Sequence, residues 1–279
     1  MTMGRWFCVV LLLAALPFGA LASDGGGGAE EMARKLQDPL ANISAIMTDN
    51  DIMFKTGDDS TSYQFQIQPV HAIDFPDNGF TFIPRAVIPV VGAASLSTLP
   101  KLGEQRPSND DDLTWGLSDI ITQFFFAPKV KGNWKWGVGP QLSWDTHTDE
   151  AVAGPGWGAG AAAVIVGDIT PNVSFAGIVG HLWSYDGDFS TTSIQPMFYY
   201  NLESIPGAVI AYNGTIIANW QADDDDDRFT VPLGFIVGRT FDLGSGYGLD
   251  LSIGPYWNLV RPEGAADWSI KFGVTFLLP

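Results

Sequence analysis

The stretch Trp134-Lys135-Trp136-Gly137-Val138-Gly139-Pro140-Gln141-Leu142-Ser143-Trp144 decides the fold of this chain. Trp134, Trp136, Val138, Pro140, Leu142 and Trp144 are apolar, and the residues between them are Lys, Gly, Gln and Ser. A period of two puts the two sets on opposite faces of a strand. In a soluble sandwich the outward face carries Lys, Glu and Thr. Here the polar face is nearly uncharged, as in a confined lumen, so the apolar face is the one that meets lipid. The run is about twice the usual strand length of roughly 5–6 residues, which suits a tilted bilayer crossing. Trp134 and Trp144 end the apolar face where interfacial aromatic girdles lie.

The pattern recurs outward from this run. Tyr63, Phe65, Ile67 and Pro69 alternate with Gln64, Gln66 and Gln68, and Ile194, Pro196, Phe198 and Tyr200 alternate with Ser193, Gln195, Met197 and Tyr199. The runs from Gly248 to Leu259 and from Trp268 to Leu278 repeat it. Twelve strands are predicted: 42–56, 61–73, 79–91, 113–127, 133–145, 157–167, 172–185, 190–202, 208–220, 229–241, 247–260 and 267–278, the first being the least regular. An even number brings both termini to one side, with short turns there and longer loops opposite. Alternation puts 92–112, 146–156 and 223–228 on the long-loop side. It puts Pro76–Gly79, Asp168–Pro171 and Asp242–Gly246 on the short-turn side. The fold class is therefore an all-β, antiparallel transmembrane barrel, and it implies a Gram-negative outer membrane with periplasmic termini.

Before the barrel, Met1–Gly4, Arg5, the apolar run Trp6–Leu16 and Ala20-Leu21-Ala22 form the three parts of a secretory signal peptide cleaved after Ala22. The apolar run is too short to span about 30 Å of hydrocarbon. The one cysteine is Cys8, so a mature chain would contain no disulfide. Residues 23–41 form a separate segment, with Gly25–Gly28 as a flexible leader. Ala29, Met32, Ala33, Leu36 and Leu40 then fall at helical spacing until Pro39 stops the helix. Plugging the lumen, lying at the rim and hanging free are all open to this helix. Residues 42–279 are the barrel.

The runs Ala33–Ser44, Phe65–Val70, Trp136–Pro140, Gly156–Gly160 and Lys271–Phe276 carry a resemblance over most of the mature chain. They resemble a family of uncharacterised Gram-negative outer-membrane barrels labelled as transporters, and are similar to transporters of the MetA phenol-degradation pathway. The resemblance implies passage of small molecules, apolar or aromatic ones among them. The chain ends Phe276-Leu277-Leu278-Pro279, whereas signals read by the barrel-assembly machinery usually finish on an aromatic residue.

Of the 279 residues, 46% are hydrophobic and 16% charged, and the net charge is −17. That acidity excludes a nucleic-acid binder. Apportioned over the predicted topology, the outer loops hold 16 acidic and four basic residues, which favours cations at the mouth. Facing inward by alternation are Gln66, Gln68, Arg85, Lys135, Gln141, Gln195, Asp250 and Lys271, with Asp119 joining them after a bulge. Arg85, Lys135 and Lys271 opposite Asp119 and Asp250 are expected to set a transverse field in a pore. A closed lumen holding these residues as a salt-bridge network is the alternative. In that case the acidic outer loops do the work, as a structural or surface-interaction barrel.

No catalytic constellation is found and no cofactor is implied. Gly154–Gly160 precedes a strand and is not a dinucleotide fingerprint. A barrel phospholipase needs a His–Ser pair on one outer face, and His181 and Ser184 fall on opposite faces. Asp223, Asp224, Asp225, Asp226 and Asp227 lack the Gly and Glu of a calcium loop; they are a solvated loop or a loose divalent-cation bridge to lipopolysaccharide. Pro69, Pro140, Pro196 and Pro255 lie on the apolar faces of strands, either at repeated bulges or by coincidence.

Overall fold

The computed structural model describes residues 26–57, 60–93 and 113–279. The expected signal peptide and most of the loop 92–112 lie outside the described residues.

Twelve antiparallel staves close into a barrel. They are β1 (Ser44–Thr56), β2 (Ser60–His71, continued by Ile73–Phe75), β3 (Phe80–Ala93) and β4 (Thr114–Leu117 and Ile120–Pro128). Next come β5 (Trp134–Trp144), β6 (Gly158–Thr170), β7 (Val173–Ser184) and β8 (Ser190–Asn201). The last four are β9 (Ala208–Tyr212 and Ile216–Asn219), β10 (Phe229–Gly234 and Ile236–Gly244), β11 (Tyr247–Val260) and β12 (Trp268–Leu278). Each stave pairs with its neighbours in sequence, and β1 pairs with β12 from Ser44↔Leu278 to Phe54↔Trp268. No helix among the described residues is long and apolar enough to cross a membrane, and the wall is made of the strands. Their outward positions form an exposed apolar belt that includes Val138, Ile165, Val179, Ile194 and Ile253. Trp115, Trp157, Trp183, Trp220 and Trp257 stand along the long-loop edge of that belt.

The short-turn side is built from tight links. Gly79 takes a left-handed φ of 71° after the single turn Pro76–Asn78, and Gly244, Ser245 and Gly246 all have positive φ between β10 and β11.

Ladder register corrects one expectation and fits another. No register shift occurs at Pro69, Pro140, Pro196 or Pro255. The bulge reading therefore fails, because a missing N–H needs only a missing ladder bond, not an extra residue. Opposite Pro140 the strands come so close that a Cβ on Gly139 would overlap the Phe124 carbonyl. The bulge expected before Asp119 is present. Val87↔Ile121 and Val90↔Leu117 enclose one more residue on β4 than on β3.

Helix α1 (Gly26–Gln37) starts before Ala29, so Gly26–Gly28 form its first turn and not a leader. The helix lies inside the short-turn end. Gly28 abuts Asp242, Met32 abuts Gly248, and the Arg34 guanidinium donates to the Pro171 carbonyl at 2.6 Å. Leu40, just beyond it, is buried among Ile83, Phe125, Ala127 and Val164. The interior is thus not uniformly polar. Inward apolar residues from β3 to β8 pack a core in its short-turn half.

Candidate functional site

Above α1 the lumen holds a cavity of about 190 Å³. Its floor is Ala33, Leu36, Gln37 and Asp38. One wall is apolar, with Ile83, Phe125, Ile178 and Met197, and the polar positions include Asp49, Gln68, Arg85, Tyr199 and Asp250. The floor is fixed where helix meets wall. Gln37 and Asn201, both buried, exchange two amide hydrogen bonds of 2.8 and 3.1 Å, and Lys135 Nζ reaches Asp38 Oδ2 at 2.5 Å.

The inward-facing residues read from the sequence separate into three groups. Four of them, together with Gln123, build a wall-side ladder: Gln66 accepts from Gln68, Gln68 accepts from Arg85, Arg85 also donates to Gln123, Gln123 donates to Gln141, and Gln141 donates to the His181 carbonyl. Gln123 belongs to this ladder and was not singled out in the sequence, although it alternates with Phe124 on β4. Gln195 donates to the Asn213 carbonyl, and Asp250 accepts from Thr240 Oγ1 at 2.8 Å.

The expected field of three cations against Asp119 and Asp250 is not the arrangement seen. Lys271 Nζ pairs with Asp51 at 2.7 Å and Asp49 at 3.5 Å on the adjacent β1. Cross-strand register decides this, because Asp51 lies directly opposite Lys271. Lys135 holds the segment after the helix. Asp119 belongs to the long-loop mouth. Its Oδ1 accepts from the Thr146 and His147 amides and from His147 Nδ1, and its Oδ2 accepts from the Gly154 and Gly156 amides.

His147 therefore sits against Asp119 and Asp145, each 3.0 Å from Nδ1, with Glu150 at 3.6 Å from Nε2. Partial burial lowers its pKa, but the hydrogen bond to Asp119 and the three carboxylate charges outweigh that, and the net shift is upward. Asp119, Asp145 and His147 are the one group among the described residues whose ligand-type atoms cluster within 4.8 Å. The oxygens of Asp119 are already filled by backbone donors, so the group anchors the 146–156 loop. The Asp223–Asp227 run makes no such cluster. Asp224 caps the turn Asp225–Asp227, Arg228 pairs with Asp225 at 2.5 Å, and Asp227 accepts from the Glu263 amide.

His181 does find a serine on its own face. Strand pairing brings Ser190 Oγ to 3.3 Å from Nε2 and Thr192 Oγ1 to 2.7 Å from Nδ1. Among the described residues no carboxylate or amide orients this imidazole, and Trp220 Nε1 donates to the same Thr192 hydroxyl. The set satisfies polar groups at the aromatic girdle and lacks the third member of a hydrolytic triad.

The wall itself is interrupted. Between β9 and β10 the ladder includes Ala211↔Ile236 and Ile217↔Thr230, with no pairs in between. Side chains bridge the interval: Tyr212 Oη donates to the Pro232 carbonyl at 2.7 Å, Tyr256 Oη donates to Asn213 Oδ1 at 2.9 Å, and the Asn213 amide donates to Tyr256 Oη at 3.0 Å. The sequence hinted at this through Asn213-Gly214 and Pro232, a turn pair and a donor-free residue inside predicted strands. Asn213 lies in the interval and lines the cavity, as does Ile236 at the last ladder pair beside it.

No protein-family model matches the sequence, and no curated protein matches it. Solved structures do share its fold. A COG4313 outer membrane channel from Pseudomonas putida F1 aligns with a TM-score of 0.60 at 14% identity, covering 85% of this chain and 96% of that one. The NanC porin aligns with a TM-score of 0.50 at 10% identity, covering 84% and 99%. These likenesses show a fold shared with outer-membrane barrels, in keeping with the closed barrel that the strand pairing gives.

Proposed function

We propose that this chain is an outer-membrane channel that passes small molecules, apolar and aromatic ones included. In this reading outer-membrane lipid and lipopolysaccharide surround the barrel, the barrel-assembly machinery inserts it, and the short-turn side with both termini faces the periplasm. The observation that carries the reading is the union of three features: a half-apolar lumen cavity, a helix closing it on the short-turn side, and a ladder interruption opening on the same cavity. Solute enters from the long-loop mouth. Between β9 and β10 roughly 17 Å of wall, five residues at about 3.4 Å each, is closed by tyrosine hydroxyls and not by a backbone ladder. An apolar solute leaves sideways through that interval, avoiding transfer into water. The fold of the P. putida channel and the resemblance to phenol-pathway transporters support this reading. No enzymatic activity is assigned.

The test is uptake of a radiolabelled aromatic hydrocarbon by Gram-negative cells making the full chain, compared with cells that lack it. Faster accumulation supports the reading. Equal accumulation at equal amounts of folded barrel in the outer membrane rejects it.

A further inference from the structure

Arg85 is the one cation among the residues lining the cavity. Among the described residues no carboxylate lies within ion-pairing distance of it, whereas Lys135 and Lys271 are both paired. Its guanidinium has five N–H donors and uses two, toward Gln68 at 2.5 Å and Gln123 at 3.4 Å; Nε is buried without a partner. The Gln66–Gln68 and Gln123–Gln141 contacts on either side hold this under-satisfied cation in place. Beside it are Val70, Ile83, Phe125 and Met197.

We infer that the cavity is a binding site for an organic monocarboxylate, its carboxylate on the Arg85 guanidinium and its hydrocarbon or aromatic body against the apolar wall. Arginine suits this role because its fork matches a carboxylate. One negative charge is the limit. Asp49 and Asp250 line the same cavity, and Asp250 has only the Thr240 hydroxyl as partner among the described residues, so a second carboxylate meets repulsion. The acidic outer loops do not oppose the first charge. Arg85 lies eight residues from the Ala93 end of β3, roughly 26 Å along the strand, which is several times the Debye length of about 8 Å at physiological salt.

The inference rests on the channel reading and deepens it, so the test separates the two. Benzoate, its neutral isostere benzamide and the dianion phthalate are titrated into the full-length protein in detergent, with bound ligand measured by equilibrium dialysis. Benzoate is expected to bind at least about tenfold more tightly than benzamide or phthalate. Arg85→Gln removes the preference for benzoate over benzamide, and Arg85→Lys restores part of it. Heat-dependent gel mobility checks that each variant is folded. Equal binding of benzoate and benzamide by the unaltered protein overturns the inference and leaves the channel reading standing; this outcome depends on no variant. Saturable binding of none of the three overturns the inference together with the cavity's role in the channel reading.

Discussion

Gln37 and Asn201 hold each other by a reciprocal pair of amide hydrogen bonds, and through them the last residue of α1 is fastened to the last residue of β8. Replacing Asn201 by Leu leaves a buried amide unmatched, which costs about 1–3 kcal/mol. That corresponds to roughly a 5- to 150-fold shift from seated toward released helix. Single-channel recording is expected to show more frequent openings of Asn201→Leu than of the parent chain.

Lys271 is enclosed by Asp49 and Asp51, two residues apart on β1. Lys271→Met leaves two neighbouring carboxylates without their cation. Breaking a fully buried pair this way costs about 3–5 kcal/mol, and this partly buried one costs less. The thermal transition followed by heat-dependent gel mobility should fall clearly below that of the parent.

Asp119 gathers four backbone amides and one imidazole from the 146–156 loop. Asp119→Ala strands those donors, and protease added outside intact cells is expected to cut between 146 and 156 far faster than in the parent. The barrel band on a gel should survive.

The same loop should respond to pH. His147 has a folded-state pKa raised above its ordinary value of 6.5. Its contribution to loop attachment is therefore complete below about pH 6.5 and is lost as pH rises through the folded value. A spin label at Ala151→Cys reads this without interference from the barrel, since the only native cysteine is Cys8. Label mobility is expected to rise with pH, and His147→Gln should make it high and flat.

The sequence carried most of this fold because lipid on one side and a lumen on the other impose a period of two on nearly every stave. β1 was least legible for a physical reason. Asp49, Asn50 and Asp51 put polar groups on both faces at once, with Asn50 held by Tyr63 Oη and the Phe272 carbonyl and the two aspartates by Lys271. Partners across the barrel were not legible, because alternation gives the face and not the register. The aspartates beside Lys271 and the serine beside His181 both emerged only from strand pairing. At the wall interval Asn213–Thr215, Asn213-Gly214 and Pro232 mark a break in the alternation, but the Tyr212 and Tyr256 hydroxyl bonds that close it join residues distant in sequence.

The most direct measurement is conductance across a planar bilayer for the full-length protein and for a chain lacking residues 26–41. The account predicts rare, small openings for the first and steady, larger conductance for the second, with the difference reproduced in part by Asn201→Leu. A deletion chain that folds and inserts yet passes no current would contradict it.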